Sequence, residues 1–123
     1  MSQTASLERS LSQSDFNAFA HLSGDNNPIH VDPAFSARTR FGHTVAHGAL
    51  LCAVLRGLIE TLVPGGRQIR QTVQYPAPAP AGEPLRFEAE IIALKGSVAT
   101  IRLQVTRLSD MTVTCSGETE VER

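Results

Sequence analysis

What most constrains this chain is an imbalance: one long apolar helical stretch, then three or four alternating apolar segments joined by short connections. The helix is expected from about His47 to Val63, where Pro64-Gly65-Gly66 stops it. Leu51, Leu55, Leu58 and Leu62 centre a broad apolar arc that also takes in Leu50, Val54 and Ile59. Ala49, Cys52, Ala53, Arg56, Gly57 and Glu60 fill the remainder, and a helix this apolar belongs in a core. The strands are read from period-two alternation. Ile69, Gln71, Val73 and Tyr75 precede a proline-rich break; Leu85, Phe87, Ala89 and Ile91 form the next run. Ala99, Ile101, Leu103 and Val105 follow, and Met111, Val113, Cys115 and Val121 close the series. Short turns after Leu94 and Leu108 imply hairpins and antiparallel pairing. An antiparallel sheet must cover its apolar face, and one helix is available to do it. The expected class is therefore α+β: a curved antiparallel sheet wrapped around a long central helix.

The first third reads differently. Leu7, Arg9 and Leu11 suggest an opening strand. Ser12 or Ser14 can cap a helix carrying Phe16, Phe19, Ala20 and Leu22, ended by Gly24. Asp25 to His30 reads as a tight bend, with Asx residues before Pro28, and Asp32 can cap a short helical turn from Pro33. At 123 residues the chain fits one domain, 1–123, able to bury a real core. A formal net charge of −1 offers no field for nucleic acid or an anionic membrane. Met1 to Leu11 has no apolar run of secretory-leader type, and the apolar helix is too short to span a bilayer. Cys52 and Cys115, in apolar surroundings without metal-type spacing, are expected as buried free thiols in a reducing cytoplasm.

Three blocks then stand out in order: Phe19 to His30 with its Asp25-Asn26-Asn27-Pro28-Ile29-His30 core, Val45-Ala46-His47-Gly48, and Tyr75 to Glu83. Together they resemble the MaoC-like dehydratases, the family of (R)-specific enoyl-CoA hydratases, over most of the chain. The resemblance implies the hot-dog fold, in agreement with the pattern reading. It also implies that Asp25 and His30 are the catalytic pair and that the Gly48 amide serves as oxyanion hole. The chemistry is suitable. Hydrating an enoyl thioester needs a base for water at C3, an acid for C2, and a donor for charge on the thioester oxygen. Imidazole titrates near neutrality and a carboxylate can share a water's proton. A glycine at a helix start leaves its N–H open to a carbonyl, although tight packing would equally demand glycine there.

The expected activity is reversible hydration of a trans-2-enoyl-CoA to an (R)-3-hydroxyacyl-CoA. The alternatives are a 3-hydroxyacyl-carrier-protein dehydratase and a noncatalytic acyl-binding subunit. No redox cofactor, covalent nucleophile or metal is expected, since no Cys-x-x-Cys spacing occurs. Asn27 and His47 are read as supporting the loop, while His21 and His43 have no special case. Arg38, Arg40, Arg67 and Arg70 are candidates for the phosphates of coenzyme A or a carrier protein, with solvated surface charge as the alternative. Arg56 stands where the family often has a small residue. Two readings follow: a pair with Glu60 one turn away, which is favoured, or a guanidinium that shortens the acyl pocket or meets a substrate carboxylate. Exposed sheet edges, with the family habit, point to a homodimer or higher homo-oligomer.

Overall fold

The computed structural model describes residues 3–123, in the order β1 (Thr4–Ser10), α1 (Gln13–Ser23), α2 (Pro28–Val31), α3 (Pro33–Ser36), α4 (Gly48–Leu62), β2 (Arg67–Gln74), β3 (Pro84–Lys95), β4 (Val98–Arg107) and β5 (Thr112–Glu122). The strands form one antiparallel sheet in the order β1-β3-β4-β5-β2. Helix α4 packs across β1, β3 and β4 and buries Leu51, Leu55, Leu58 and Ile59 against Leu85, Phe87, Ile101, Leu103 and Val105. The expected arc is borne out. A fully buried Leu or Phe contributes roughly 1.5–3 kcal/mol, so this helix–sheet contact is the main source of stability. The outer face of the sheet is charged, with Arg86–Glu8, Arg102–Glu90, Arg70–Glu120 and Arg67–Glu122 pairs at 3.1, 3.0, 3.6 and 2.7 Å. Such exposed pairs add little energy, but they keep that face in water.

Local chemistry sets the helix ends. Ser12 Oγ accepts the Asp15 N–H at 3.1 Å and the Asp15 carboxylate accepts the Ser12 N–H at 2.8 Å, a reciprocal capping box for α1. Gly24 ends that helix in the left-handed region at φ 84°. The bend expected at Asn27-Pro28 is instead a one-turn helix. The Asn27 side chain caps it by accepting the Ile29 N–H at 3.1 Å, and Pro28 stands at the first position, where a missing N–H costs nothing. Asp32 caps α3 as expected, accepting the Phe35 N–H at 3.0 Å.

Three expectations fail at sheet irregularities. Strand β2 is an edge strand at the margin of α4, which it meets through Gln71 and Cys52, and a register shift between Gln68 and Arg70 leaves Ile69 exposed. On β5 the register jumps from Val105↔Cys115 to Thr106↔Val113, so the extra residue Thr114 turns inward beside Cys115. Thr114 and Thr119 are buried and Val113 is not. Met111 sits at the turn with φ 58° and is exposed rather than inward. Cys115 is buried as expected, but Cys52 is half-exposed. Leu22, placed on the apolar side of α1, is 83% exposed because the helix is ending there and only Phe16 and Ala20 reach the core.

Candidate active site

The long connection between α1 and α4 carries the polar side chains of the site, and segment 44–46 knits it together. The Val45 N–H donates to the Ile29 carbonyl at 3.0 Å and the Ala46 N–H to the Ala79 carbonyl at 2.8 Å. The Ala81 N–H in turn donates to the Thr44 carbonyl at 3.2 Å. Gln13 braces the same region from the start of α1: its amide donates to the His30 carbonyl at 2.8 Å, and its oxygen accepts the Thr44 hydroxyl at 2.6 Å.

His30 sits on α2 and is buried. Its Nδ1 lies 2.8 Å from the Val45 carbonyl. A carbonyl only accepts, so Nδ1 carries the proton and Nε2 presents its lone pair outward. Facing it at 4.0 Å is the Asp25 carboxylate, whose side chain is 57% exposed. A water about 2.8 Å from both atoms would fit that gap with hydrogen bonds to each. Sequence reasoning singled out both residues, and the structure brings them together. Asp25 also accepts the Asn27 N–H, at 3.4 Å, within the same loop.

His30 opens onto a cleft of about 420 Å³; Asp25 faces His30 but is not among the residues that line the cleft. Gly48, Ala49 and Tyr75 line it, as does the turn Pro76 to Ala79, with Leu51 and Thr114 at the inner end. Gly48 begins α4, and among the described residues no acceptor takes its N–H or that of Ala49. The positive end of the helix dipole therefore faces the cleft with free donors. The Tyr75 ring lies so close over Gly48 that a Cβ there would stand 2.5 Å from its Cζ. Both demands on Gly48, an open amide and tight packing, are present.

Tyr75, which the pattern placed on a strand, lies just beyond β2 and bonds Cys52 Sγ through its hydroxyl at 3.3 Å. Burial, and then the Cys52 sulfur, push the phenol above its ordinary range. Hydrogen bonding from Cys115, assisted by Tyr75 and Gln71, lowers the Cys52 thiol to about 6, while the bond to Cys52 and burial raise Cys115.

His47 is buried, its Nε2 lies 2.9 Å from the Asp25 carbonyl, and its ring stacks on His30 with centroids 3.8 Å apart and planes at 23°. Asp25, His30 and His47 thus bring one nitrogen or oxygen each to within 4.8 Å of one another, a grouping that spacing in the chain did not predict. Ring nitrogens bind metals along in-plane lone pairs. Two nearly parallel stacked rings direct those lone pairs side by side rather than toward one point, and the His47 Nε2 is already taken up by the Asp25 carbonyl, which does not suit a shared ion.

Arg40 stands on the cleft rim over the Phe41 ring at 5.0 Å, without a carboxylate partner among the described residues. Arg67 and Arg70 are paired to Glu122 and Glu120 on the sheet. Arg56 donates to the Gly66 carbonyl at 2.9 Å and lies 3.5 Å from Glu60, outside the cleft. Residues the sequence left unmarked are Gln13 and Thr114. Gln13 carries no motif. Thr114 could have been found only by anticipating a bulge.

A single antiparallel sheet wrapped on one helix, with a carboxylate and an imidazole facing each other near that helix's open N-terminus, has the groups that proton transfer beside a developing negative charge requires. Residues 1–113 match the MaoC like domain, and the chain belongs to that family. It is 35% identical to an (R)-specific enoyl-CoA hydratase of Aeromonas caviae over 84% of this chain and 80% of that protein. It is 33% identical to a 3-hydroxybutyryl-CoA dehydratase of Methylorubrum extorquens over 97% of this chain and 77% of that protein. Among solved structures, an (R)-hydratase from A. caviae involved in PHA biosynthesis superposes with a TM-score of 0.92 at 31% identity, covering 98% of this chain and 94% of that one. The hot-dog fold is thereby established. No helix among the described residues is long and apolar enough to cross a membrane.

Proposed function

We propose that this protein is a hydro-lyase that reversibly hydrates a trans-2-enoyl-CoA to an (R)-3-hydroxyacyl-CoA. Asp25 and His30 are its acid–base pair, and the Gly48 amide its oxyanion donor. The observation that carries the reading is the 4.0 Å gap between Asp25 Oδ2 and His30 Nε2, beside a cleft lined by the start of α4. A water held in that gap attacks C3 while the C2–C3 π electrons move toward C2, and negative charge collects on the thioester oxygen. The Gly48 N–H receives that charge, and a preorganised donor of this kind is worth about 10²–10³ in rate. The pair takes the water's proton and delivers one to C2, so water is added with no net change in the enzyme. Because Val45 already holds the His30 Nδ1 proton, Nε2 needs no tautomeric rearrangement before it accepts. No metal or redox group enters this scheme.

The largely apolar inner cleft suits an acyl chain, and Arg40 on its rim suits a phosphate of the thioester handle. The largely exposed edge strand β2 favours assembly into a homodimer, which light scattering after size exclusion would measure.

The test is a substrate panel. Wild-type protein should bleach the conjugated absorbance of crotonyl-CoA, whereas Asp25→Asn and His30→Ala should stay folded and lose about 10²-fold or more in turnover. Activity on carrier-protein esters alone would transfer the reading to a carrier-dependent dehydratase. Full turnover in both variants would remove the acid–base assignment, and a wild type inert on every thioester would leave only acyl binding.

A further inference from the structure

His47 presents a puzzle in burial. It is 2% exposed, and its Nε2–H donates to the Asp25 main-chain carbonyl at 2.9 Å. With the proton on Nε2, Nδ1 must be an acceptor, and it is buried with no hydrogen-bond partner. A stranded buried acceptor is unfavourable, whereas a carbon ring of the same shape would keep the packing without it. That packing is extensive: the ring stacks on His30 at 3.8 Å and meets Phe19 edge-on at 4.9 Å. What imidazole supplies here, and a phenyl ring cannot, is the single donor to Asp25.

Asp25 needs such a donor. It follows the left-handed Gly24 that ends α1, and neither it nor Asn26 takes part in a main-chain to main-chain hydrogen bond among the described residues. Its remaining contacts are local, from its own N–H to Ser23 Oγ at 3.1 Å and from the Asn27 N–H to its carboxylate. Among the described residues, the His47 bond is the one long-range tie on the Asp25 backbone. His47 also caps α4, where its carbonyl accepts the Leu50 and Leu51 N–H groups at 3.0 and 3.3 Å, and Gly48 follows directly.

We infer that His47 is a positioning residue that sets the Asp25–His30 separation, gripping Asp25 through its carbonyl and His30 through its ring face while joined covalently to the Gly48 amide. It touches neither water nor thioester. The inference rests on the acid–base reading given above, and it goes further by assigning to His47 the alignment of both halves of the site.

Two replacements separate the parts. His47→Phe keeps the ring and removes the donor; His47→Gln removes the ring but places an amide N–H near the former Nε2. In His47→Phe, kcat for crotonyl-CoA should fall about 10-fold or more with KM within about 3-fold of wild type. Its melting temperature should equal or exceed that of wild type, because the stranded acceptor is gone. Amide exchange at Asp25 and Asn27, whose N–H groups are the bonded ones in this loop, should quicken about 10-fold. His47→Gln should recover most of both kcat and protection. If His47→Phe does not fold, His47→Met takes its place as the variant without the donor. Wild-type kcat and exchange in the donor-free variant would overturn the inference, as would a Gln variant no better than it. If wild type proves inert on thioesters, the functional reading fails on its own, and the exchange comparison still decides whether His47 holds Asp25.

Discussion

Replacing Gly48 by alanine separates its two roles. The new Cβ would stand 2.5, 2.7 and 2.9 Å from Cζ, Cε1 and Cε2 of Tyr75. Carbon contacts settle near 3.5–4.0 Å, so the ring must retreat by about 1 Å. Tyr75 is 48% exposed and held by a weak bond to Cys52, so it can move outward. The cost then falls at the low end of the overpacking range, about 1 kcal/mol. Alanine's helix preference over glycine offsets up to about 1 kcal/mol of that. For a chain of this size, the melting temperature should therefore stay within about 4 °C of wild type. Catalysis should not be spared. A methyl beside the amide keeps the thioester oxygen from its donor, and kcat/KM should fall about 10²-fold, equivalent to about 2.7 kcal/mol. The assay is a double-mutant cycle on crotonyl-CoA hydration with Tyr75→Ala as the second arm. If the amide receives the developing charge, Gly48→Ala remains costly even when the tyrosine ring is absent. If glycine is there only to admit the ring, the penalty disappears in the Tyr75→Ala background, and the oxyanion assignment is refuted.

Two further outcomes follow from particular contacts. An alanine at Gly117 would drive its Cβ into the Thr72 carbonyl and to 2.8 Å from the Val73 Cα. Both are backbone atoms that cannot swing aside, so Gly117→Ala should cost about 3 kcal/mol or more, read as a lowered denaturant midpoint with faster exchange in β2; unchanged stability would contradict the β2–β5 register. Because hydrogen bonding from Cys115 lowers the Cys52 thiol to about 6, Cys52 should be largely thiolate at pH 7. Its labelling by iodoacetamide should already have reached its plateau near neutrality, while the raised, buried Cys115 stays unlabelled; a Cys52 rate still climbing steeply through pH 8–9 would contradict that ionisation.

Much of the architecture was legible because it depends on long-period patterns. The Leu51–Leu55–Leu58 arc of α4, the alternation in β3 and β4, and the capping by Ser12 and Asp32 all appear where residue spacing placed them. The failures within the sheet share one cause. Ile69, Thr114 and Met111 sit at a register shift, a bulge and a left-handed turn residue, where strict alternation breaks locally, while Val73, Cys115 and Val121 keep the inward side that the pattern gave them. Of the site, Asp25, His30 and Gly48 were visible as members of ordered blocks. The bond from Gln13 to the His30 carbonyl and the stacking of His47 on His30 were not, because residues 17 positions apart in either direction meet only once the chain has folded.

The bulge at Thr114 and the knitting of segment 44–46 have a joint consequence for how such a protein can diversify. Every group that would move a proton hangs on the excursion from Gly24 to His47, outside the sheet. The inner wall of the cleft comes from elsewhere: Leu51 on α4, Thr114 on β5, and Ala79 in the turn before β3. Chemistry and selectivity are thus carried on separate pieces of chain. Altering side-chain size at Thr114 or Ala79 would retune which acyl tails are admitted, while the reacting centre keeps its geometry.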